Sequence, residues 1–192
     1  MYTIAILAAG TSKRLGQPKQ LLPWNEKVLL QHTLDEAETL GWPVLLILGA
    51  YYKEIEDAMV AGPQTRVLFN ENWPEGMASS VRLAVEQVSK ETEFLLFCVC
   101  DQPFLNAAVL QQLIQQQQLT QQPIVGAIYQ NGATGVPMLL HRSFFGDLNA
   151  LSGDVGAKKI AARNPDKMAT FDFPLGHLDV DTLDDYEQLT HP

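Results

Sequence analysis

The chain has 192 residues, 46% hydrophobic and 18% charged, enough to bury a sizeable core without disulfides or metal staples. Its 13 Lys+Arg against 22 Asp+Glu leave a net charge of −9, which argues against a nucleic-acid binder, since that class needs a basic face to displace phosphate counterions. The 13 Gly and 11 Pro are ordinary for a globular protein and exclude a fibrous repeat or a disordered chain.

Short apolar runs alternate with amphipathic stretches along the chain. Residues 3–8 read as a buried strand, as do 44–48, 66–69, 94–100 and 124–129. Between them lie helix-like segments near 28–40, 53–61, 77–90 and 106–119. Strands separated by helices imply parallel pairing through crossovers. Runs apolar throughout suit strands covered on both faces. The expectation is a three-layer α/β/α sandwich around a mostly parallel, Rossmann-like sheet.

The last third is less regular. Residues 136–140 and 168–173 read as strands, and 143–151 and 155–163 as helices. Asp179 and Asp181 alternate on what reads as a short strand before a closing helix at 182–189, where Thr182 and Asp185 have capping-box spacing. The Gln-rich stretch 111–122 keeps Leu110, Leu113, Ile114 and Leu119 on roughly one helical side, as a solvated helix would. No linker divides the chain, so a single domain over 1–192 is expected. Its nucleotide-binding part would span about 1–105 and its acceptor side about 106–192.

Cys98 and Cys100 sit two apart in one apolar run, a spacing that fits a buried pair of free thiols better than metal or redox use. His32, His141, His177 and His191 show no ligand spacing and read as core or surface residues. No apolar run approaches the roughly 18 residues needed to span a bilayer. The first residues lack a basic segment ahead of an apolar one, so no signal peptide is expected. A cytoplasmic protein without a membrane partner follows.

Charge is unevenly spread. Residues 1–34 carry Lys13, Arg14, Lys19 and Lys27 against Glu26 alone. All but Lys27 fall in the loop after the first strand, Leu7-Ala-Ala-Gly-Thr-Ser-Lys-Arg-Leu-Gly-Gln-Pro-Lys-Gln-Leu-Leu22. Small residues at 8–10 and glycines at 10 and 16 let the backbone approach a ligand, and successive amides in such a turn form an anion-binding nest. Arg14 and Lys19 add positive charge and Ser12 a hydroxyl. This describes a triphosphate cradle at the place where open α/β sheets bind ligands. It is neither a P-loop, which needs a Lys-Ser/Thr pair, nor a G-x-G-x-x-G fingerprint. A glycine-rich connection with incidental surface bases is the bland alternative.

The loop resembles the signature of the MobA/MocA-like nucleotidyltransferases. Further landmarks follow in order: Asn72-Trp-Pro-Glu-Gly-Met-Ala-Ser-Ser-Val81, Cys100-Asp-Gln-Pro103, Gly135-Val-Pro137, Ser152-Gly-Asp-Val-Gly-Ala157 and Asp179-Val-Asp-Thr-Leu-Asp-Asp-Tyr186. Alanine at position 9 resembles the cytidylyltransferase branch that matures molybdenum hydroxylases. The resemblance implies transfer of CMP from CTP to the phosphate of a phosphorylated pterin, with Mg²⁺ as cofactor. Arg14, Lys19 and Asp101 would be catalytic. Leu7, Ala8, Ala9, Gly10, Ser12, Gly16, Gly76, Met77, Ser79 and Ser80, with Arg14 and Lys19, would bind the nucleotide.

By the same resemblance Asp101 and Asp181 would hold metal, and Gly135, Pro137, Asp154 and Lys158 would face the acceptor. Lys158 stands where relatives more often have Arg, and a point charge lacks Arg's bidentate fork. Each role has a structural rival. Asp101 would cap the helix at 105–119, the serines and Asp154 would cap helices of their own, and Asp181 would be a dipole partner for the last helix. Gly76–Ser80 opens a helix whose first amides are expected to be available to an anion or a carbonyl edge. Two other functions remain: a guanylyl- or other nucleotidyltransferase with a different acceptor, and a carrier that delivers matured pterin to an apo molybdenum hydroxylase without turnover.

Overall fold

The computed structural model describes residues 1–190, so His191 lies outside the described residues. In chain order the elements are β1 (Tyr2–Ala8), β2 (Pro23–Trp24), β3 (Lys27–Val28), α1 (Leu29–Glu38), β4 (Val44–Leu48), α2 (Tyr52–Ala58), β5 (Thr65–Phe69) and α3 (Met77–Gln87). There follow β6 (Phe94–Val99), α4 (Ala107–Thr120), β7 (Ile124–Ile128), β8 (Thr134–His141), α5 (Phe145–Asn149), α6 (Lys158–Arg163), β9 (Met168–Asp172) and α7 (Leu183–Thr190).

Seven strands form one sheet in the order β5-β4-β1-β6-β8-β7-β9, and β2 pairs with β3 in a separate small ribbon. Only β8 runs against its neighbours, antiparallel to both β6 and β7. Side chains alternate across the sheet, so apolar runs feed two cores. Ile4, Ile6, Leu46, Leu48, Leu96 and Cys98 pack with α1, α2 and α4 on one face. Ala5, Leu45, Ile47, Leu95 and Phe97 pack with α3, α5 and α6 on the other. The three expected layers follow from this division.

The chain leaves β1 toward β4 on one side and returns to β6 on the other, so the sheet's topological switch lies between β1 and β6. The loops after Ala8 and Val99 open there, at the carboxyl ends of the strands. A third apolar cluster of Leu22, Trp24, Leu29 and Val180, with Tyr186 and Leu189 against it, folds the last helix back onto the ribbon. This brings residue 181 over the same opening.

Several expectations are corrected. Residues 143–151 form a 3-10 turn over Arg142–Phe144 and a short α5, not one helix. The helix expected from 155 starts at Lys158, with Ala157 as its N-cap, so Asp154 does not cap it. Asp179 and Asp181 lie in irregular chain: Val180 is drawn into the third cluster, and its N–H goes to the Asp101 carbonyl at 2.9 Å. Leu119 is 80% exposed, off the face that buries Leu110, Leu113, Ile114 and Gln117, the last of which accepts the Tyr2 hydroxyl. The capping box holds, with Asp185 N–H donating to Thr182 Oγ1 and Thr182 N–H to Asp185 Oδ2.

Candidate functional site

A cleft of about 710 Å³ opens at the switch between β1 and β6. Leu7, Ala8, Ala9 and Gly10 line it from the end of β1, and Ser12, Arg14 and Lys19 from the loop that follows. Gly76, Met77 and Ser80 approach from the start of α3, with Asp101, Asp154 and Asp181 from three further segments. Gly16, Ser79, Gly135, Pro137 and Lys158 are not part of its lining.

The charged end is built around Lys19. Its ammonium donates to Asp101 Oδ2 at 2.7 Å and to Asp181 Oδ1 at 2.8 Å. Arg14 donates to the other oxygen of Asp181 at 2.6 Å. Burial opposes the charge on Lys19, but the two carboxylates outweigh it and hold the ammonium above the ordinary lysine range. Partial burial likewise opposes the charge on Asp181, and Lys19 with Arg14 holds its carboxyl below the usual range. Asp179 responds in the opposite sense, pushed up to about 7 by burial and by the like charges of Asp101 and Asp181.

Asp101 is free for this pairing because Asn106 caps α4 instead, accepting from the Val109 N–H at 3.0 Å. Two carboxylates converging on one point make a hard oxygen donor set, which suits Mg²⁺ when substrate phosphates and water complete the shell. Among the described residues no group of three or more His, Cys, Asp or Glu is placed to hold a metal by itself. The donor set therefore fits a cation that arrives with an anionic substrate.

The glycine loop is shaped from within. Ser12 has φ 51, its carbonyl accepts from Leu15 and Gly16, and its hydroxyl accepts from the Lys19 N–H at 3.1 Å. Gln20, 1% exposed, donates through Nε2 to the carbonyls of Ala8 and Gly10. That clamp was not expected from the sequence, where one Gln beside a Lys carries no pattern.

At the other end, the α3 amides are less available than expected. Met77 N–H faces Asp154 Oδ1 at 3.4 Å, Ala78 N–H donates to the Gly153 carbonyl, and Ser79 N–H to that of Gly76. Gly76 caps α3 through its backbone, with φ 100 and no side-chain bond, so neither serine is the N-cap. What lines the cleft from this helix is Met77 and Ser80. Asn70, absent from the sequence reading, is buried beneath and donates to both Ser79 and Ser80. Trp73 also lines this wall.

The remaining candidates lie apart. Gly135 packs where a Cβ would sit 2.2 Å from the Tyr129 hydroxyl, and Tyr129 donates to the Val136 carbonyl. The Val136–Pro137 bond is cis. Lys158 is exposed at the start of α6. Cys98 and Cys100 are free buried thiols, Cys100 pushed up to about 12 chiefly by burial. Of the described histidines, His32 and His177 bond backbone carbonyls and His141 bonds Ser143. No helix among the described residues is long and apolar enough to cross a membrane.

The chain is similar to several known proteins. Residues 4–168 match the family described as MobA-like NTP transferase domain. A nicotine blue oxidoreductase of Paenarthrobacter nicotinovorans is 29% identical, over 97% of this chain and 95% of its own. A molybdenum cofactor cytidylyltransferase of Escherichia coli (strain K12) is 30% identical over 90 residues, 47% of each chain. Among solved structures, Rv0371c of Mycobacterium tuberculosis H37Rv matches with TM-score 0.85 and 34% identity, over 100% of this chain and 98% of that one. The same protein has been solved as a complex with manganese, with TM-score 0.78 and 31% identity, over 98% of this chain and 97% of that one.

Proposed function

The chain belongs to the MobA-like NTP transferase family, and on that premise we propose that it transfers CMP from CTP to the terminal phosphate of a phosphorylated pterin, releasing pyrophosphate. The observation that carries this reading is the meeting of Lys19, from the glycine loop, with Asp101 and Asp181 in one cleft. The loop backbone near Gly10 and the cations Arg14 and Lys19 would cradle the triphosphate. The base would lie toward Ala8, Ala9, Met77 and Ser80. Asp154, on the rim by Met77, is the acceptor-side candidate that shares the cleft, and Gly135, Pro137 and Lys158 would serve only an acceptor reaching beyond it.

Phosphoryl and nucleotidyl transfers rest on positioning and charge neutralisation and need no covalent intermediate. The acceptor phosphate oxygen attacks the α-phosphorus in line, and the bond to the pyrophosphate oxygen breaks. Lys19 and Arg14 would stabilise the charge that builds on the departing pyrophosphate, the kind of contact worth about 10²–10³ in rate when one donor is removed. Asp101 and Asp181 would hold Mg²⁺, which when bound supplies Lewis-acid neutralisation of the phosphate charge. The manganese complex of Rv0371c supports a divalent metal in this fold. A cytoplasmic location and an apo molybdenum hydroxylase as recipient of the product belong to the same proposal.

The test is pyrophosphate release with each of the four triphosphates and Mg²⁺, with and without molybdenum-loaded pterin. Release with CTP that depends on pterin supports the reading. Release with CTP and only another phosphorylated acceptor keeps the nucleotide half and removes the pterin. Absence of release with any triphosphate, despite pterin binding, points to the carrier. One observation favours a second reading: the oxidoreductase relative aligns along nearly the whole chain. Hydride chemistry needs a nicotinamide or flavin, so oxidation of a reduced nicotinamide cofactor in place of pyrophosphate release would favour it.

A further inference from the structure

Asn70 follows β5 and is 3% exposed. Its backbone is held at both ends, with N–H donating to the Leu48 carbonyl at 2.8 Å and C=O accepting from Trp73 at 3.2 Å. Its side-chain Oδ1 accepts the Asn72 N–H at 3.0 Å. That bond sets the orientation of the amide, because a flipped amide would turn its NH₂ toward an N–H. The NH₂ group therefore points at two neighbouring hydroxyls, Ser79 Oγ at 2.8 Å and Ser80 Oγ at 2.9 Å.

The two hydroxyls differ in what they do with their own hydrogen. Ser79 donates it to the Gly76 carbonyl at 2.8 Å. Ser80 is 4% exposed, lines the cleft, and has no protein acceptor for its hydrogen among the described residues. A hydroxyl that must accept on one side has its donor left for whatever enters on the other. A buried donor without a partner carries the desolvation cost of a missing hydrogen bond, which a ligand acceptor removes.

We propose that Asn70 is a positioning residue that occupies one lone pair of the Ser80 hydroxyl and leaves its hydrogen aimed into the cleft, so that the base end favours a nucleobase edge presenting a hydrogen-bond acceptor. The inference rests on the nucleotide-binding reading above and deepens it. Cytosine and uracil share the O2 carbonyl and differ at N3, an acceptor in cytosine and an N–H donor in uracil, and in the opposite sense at the 4-position, so Ser80 is set against N3. At N3 cytosine takes the Ser80 hydrogen, whereas uracil can use only the second lone pair of the hydroxyl and leaves that buried hydrogen without an acceptor. Asn70 touches no substrate; it sets the polarity of the group that does.

The experiment is displacement of a fluorescent nucleotide by CTP and by UTP, with no acceptor present so that nothing turns over, in wild type, Asn70→Asp, Asn70→Ala and Ser80→Ala. A carboxylate at position 70 only accepts, so both serine hydroxyls must donate to it and Ser80 is left as an acceptor. Asn70→Asp is expected to lower the CTP:UTP preference about tenfold or more, the worth of one hydrogen bond. Ser80→Ala is expected to lower it about tenfold by deletion, and Asn70→Ala to lower it less, because the freed hydroxyl can turn either way. In turnover, KM for CTP is expected to rise in Asn70→Asp with kcat little changed.

A wild-type CTP:UTP ratio in a folded Asn70→Asp protein overturns the inference, and so does an unchanged ratio in Ser80→Ala, which does not depend on Asn70→Asp folding. Preference of the wild type for another triphosphate overturns the cytidylyl reading alone. In that case indifference of the preferred nucleotide to both Asn70→Asp and Ser80→Ala overturns the inference.

Discussion

Lys19 and Asp101, 82 positions apart in the chain, meet as an ion pair of 2.7 Å at the opening of the cleft, and the same ammonium reaches Asp181 at 2.8 Å. One cation thus joins the glycine loop, the turn after β6 and the segment before α7. The two carboxylates are 23% and 35% exposed, so water weakens the pairs and their worth to stability is small. Their worth is placement. Lys19 stands where a divalent cation would be neutralised by the same oxygens, and on the proposed function a triphosphate would give it other anions to hold.

Substitution of Lys19 should therefore separate binding from turnover. Lys19→Met is expected to cut pyrophosphate release by about 10²–10³ while leaving the far-UV spectrum and melting temperature near wild type. Without the ammonium, Asp101 loses its cation and Asp181 keeps only Arg14. Mn²⁺ should bind the nucleotide-free variant more tightly than it binds wild type, by electron paramagnetic resonance titration. Weaker Mn²⁺ binding in the variant would show that the lysine and the metal do not share this position.

Asp101→Asn keeps the shape and hydrogen-bonding reach of the side chain and removes its charge. Loss of rate by two or more orders of magnitude is expected, with little recovery at high Mg²⁺. Folding should be unaffected, since Asn106 and not Asp101 caps α4. Near-wild-type turnover would remove Asp101 from the mechanism.

The central sheet was legible because β1, β4 and β6 are covered on both faces and are apolar from end to end. The cleft loop was legible because glycines and cations cluster there. Beyond position 130 the strands at 136–140 and 168–173 and the helix at 182–189 are where the pattern puts them, but between them it misleads. Leu178 and Val180 alternate with Asp179 and Asp181 as a strand would, yet Val180 alternates because a loop buries it against Leu22 and Trp24. Asn70 and Gln20 were invisible for another reason. Each is a single buried amide whose role depends on partners ten or so positions away, and a lone polar residue has no period to betray it. The serines at 79 and 80 read equally as caps, and only the backbone of Gly76 shows that they are not.

Two glycines of the cleft separate structural from functional need. Gly76 has φ 100, and a Cβ there would lie 2.7 Å from the Gly153 carbonyl carbon. Gly76→Ala should cost about 1–3 kcal/mol, read as a lower urea midpoint, and should push the 153–154 loop off α3. A Cβ on Gly10 meets nothing within 4 Å, so Gly10→Ala should melt like wild type. Because it would fill space beside the loop backbone, it should still weaken triphosphate displacement. Equal nucleotide binding in Gly10→Ala and wild type would place the phosphates elsewhere.

The capping box at the start of α7 ties stability to pH and to the site. Asp185 Oδ2 accepts from the Thr182 N–H at 2.8 Å and from the Asp181 N–H at 3.2 Å, and its bonding to Thr182, chiefly, holds its carboxyl below the usual range. A folded value below the unfolded one means stability present above about pH 4 and lost as pH falls through the folded value. Asp185→Asn should therefore lower stability at pH 7, by up to about 1 kcal/mol for a carboxylate lost at a helix N-terminus, and the gap to wild type should close as pH falls through the folded value. Because the same carboxylate fixes the backbone of Asp181, the variant at pH 7 should also bind Mn²⁺ with CTP more weakly. A pH-independent stability gap between the two proteins would show that the carboxylate's charge contributes nothing to the cap.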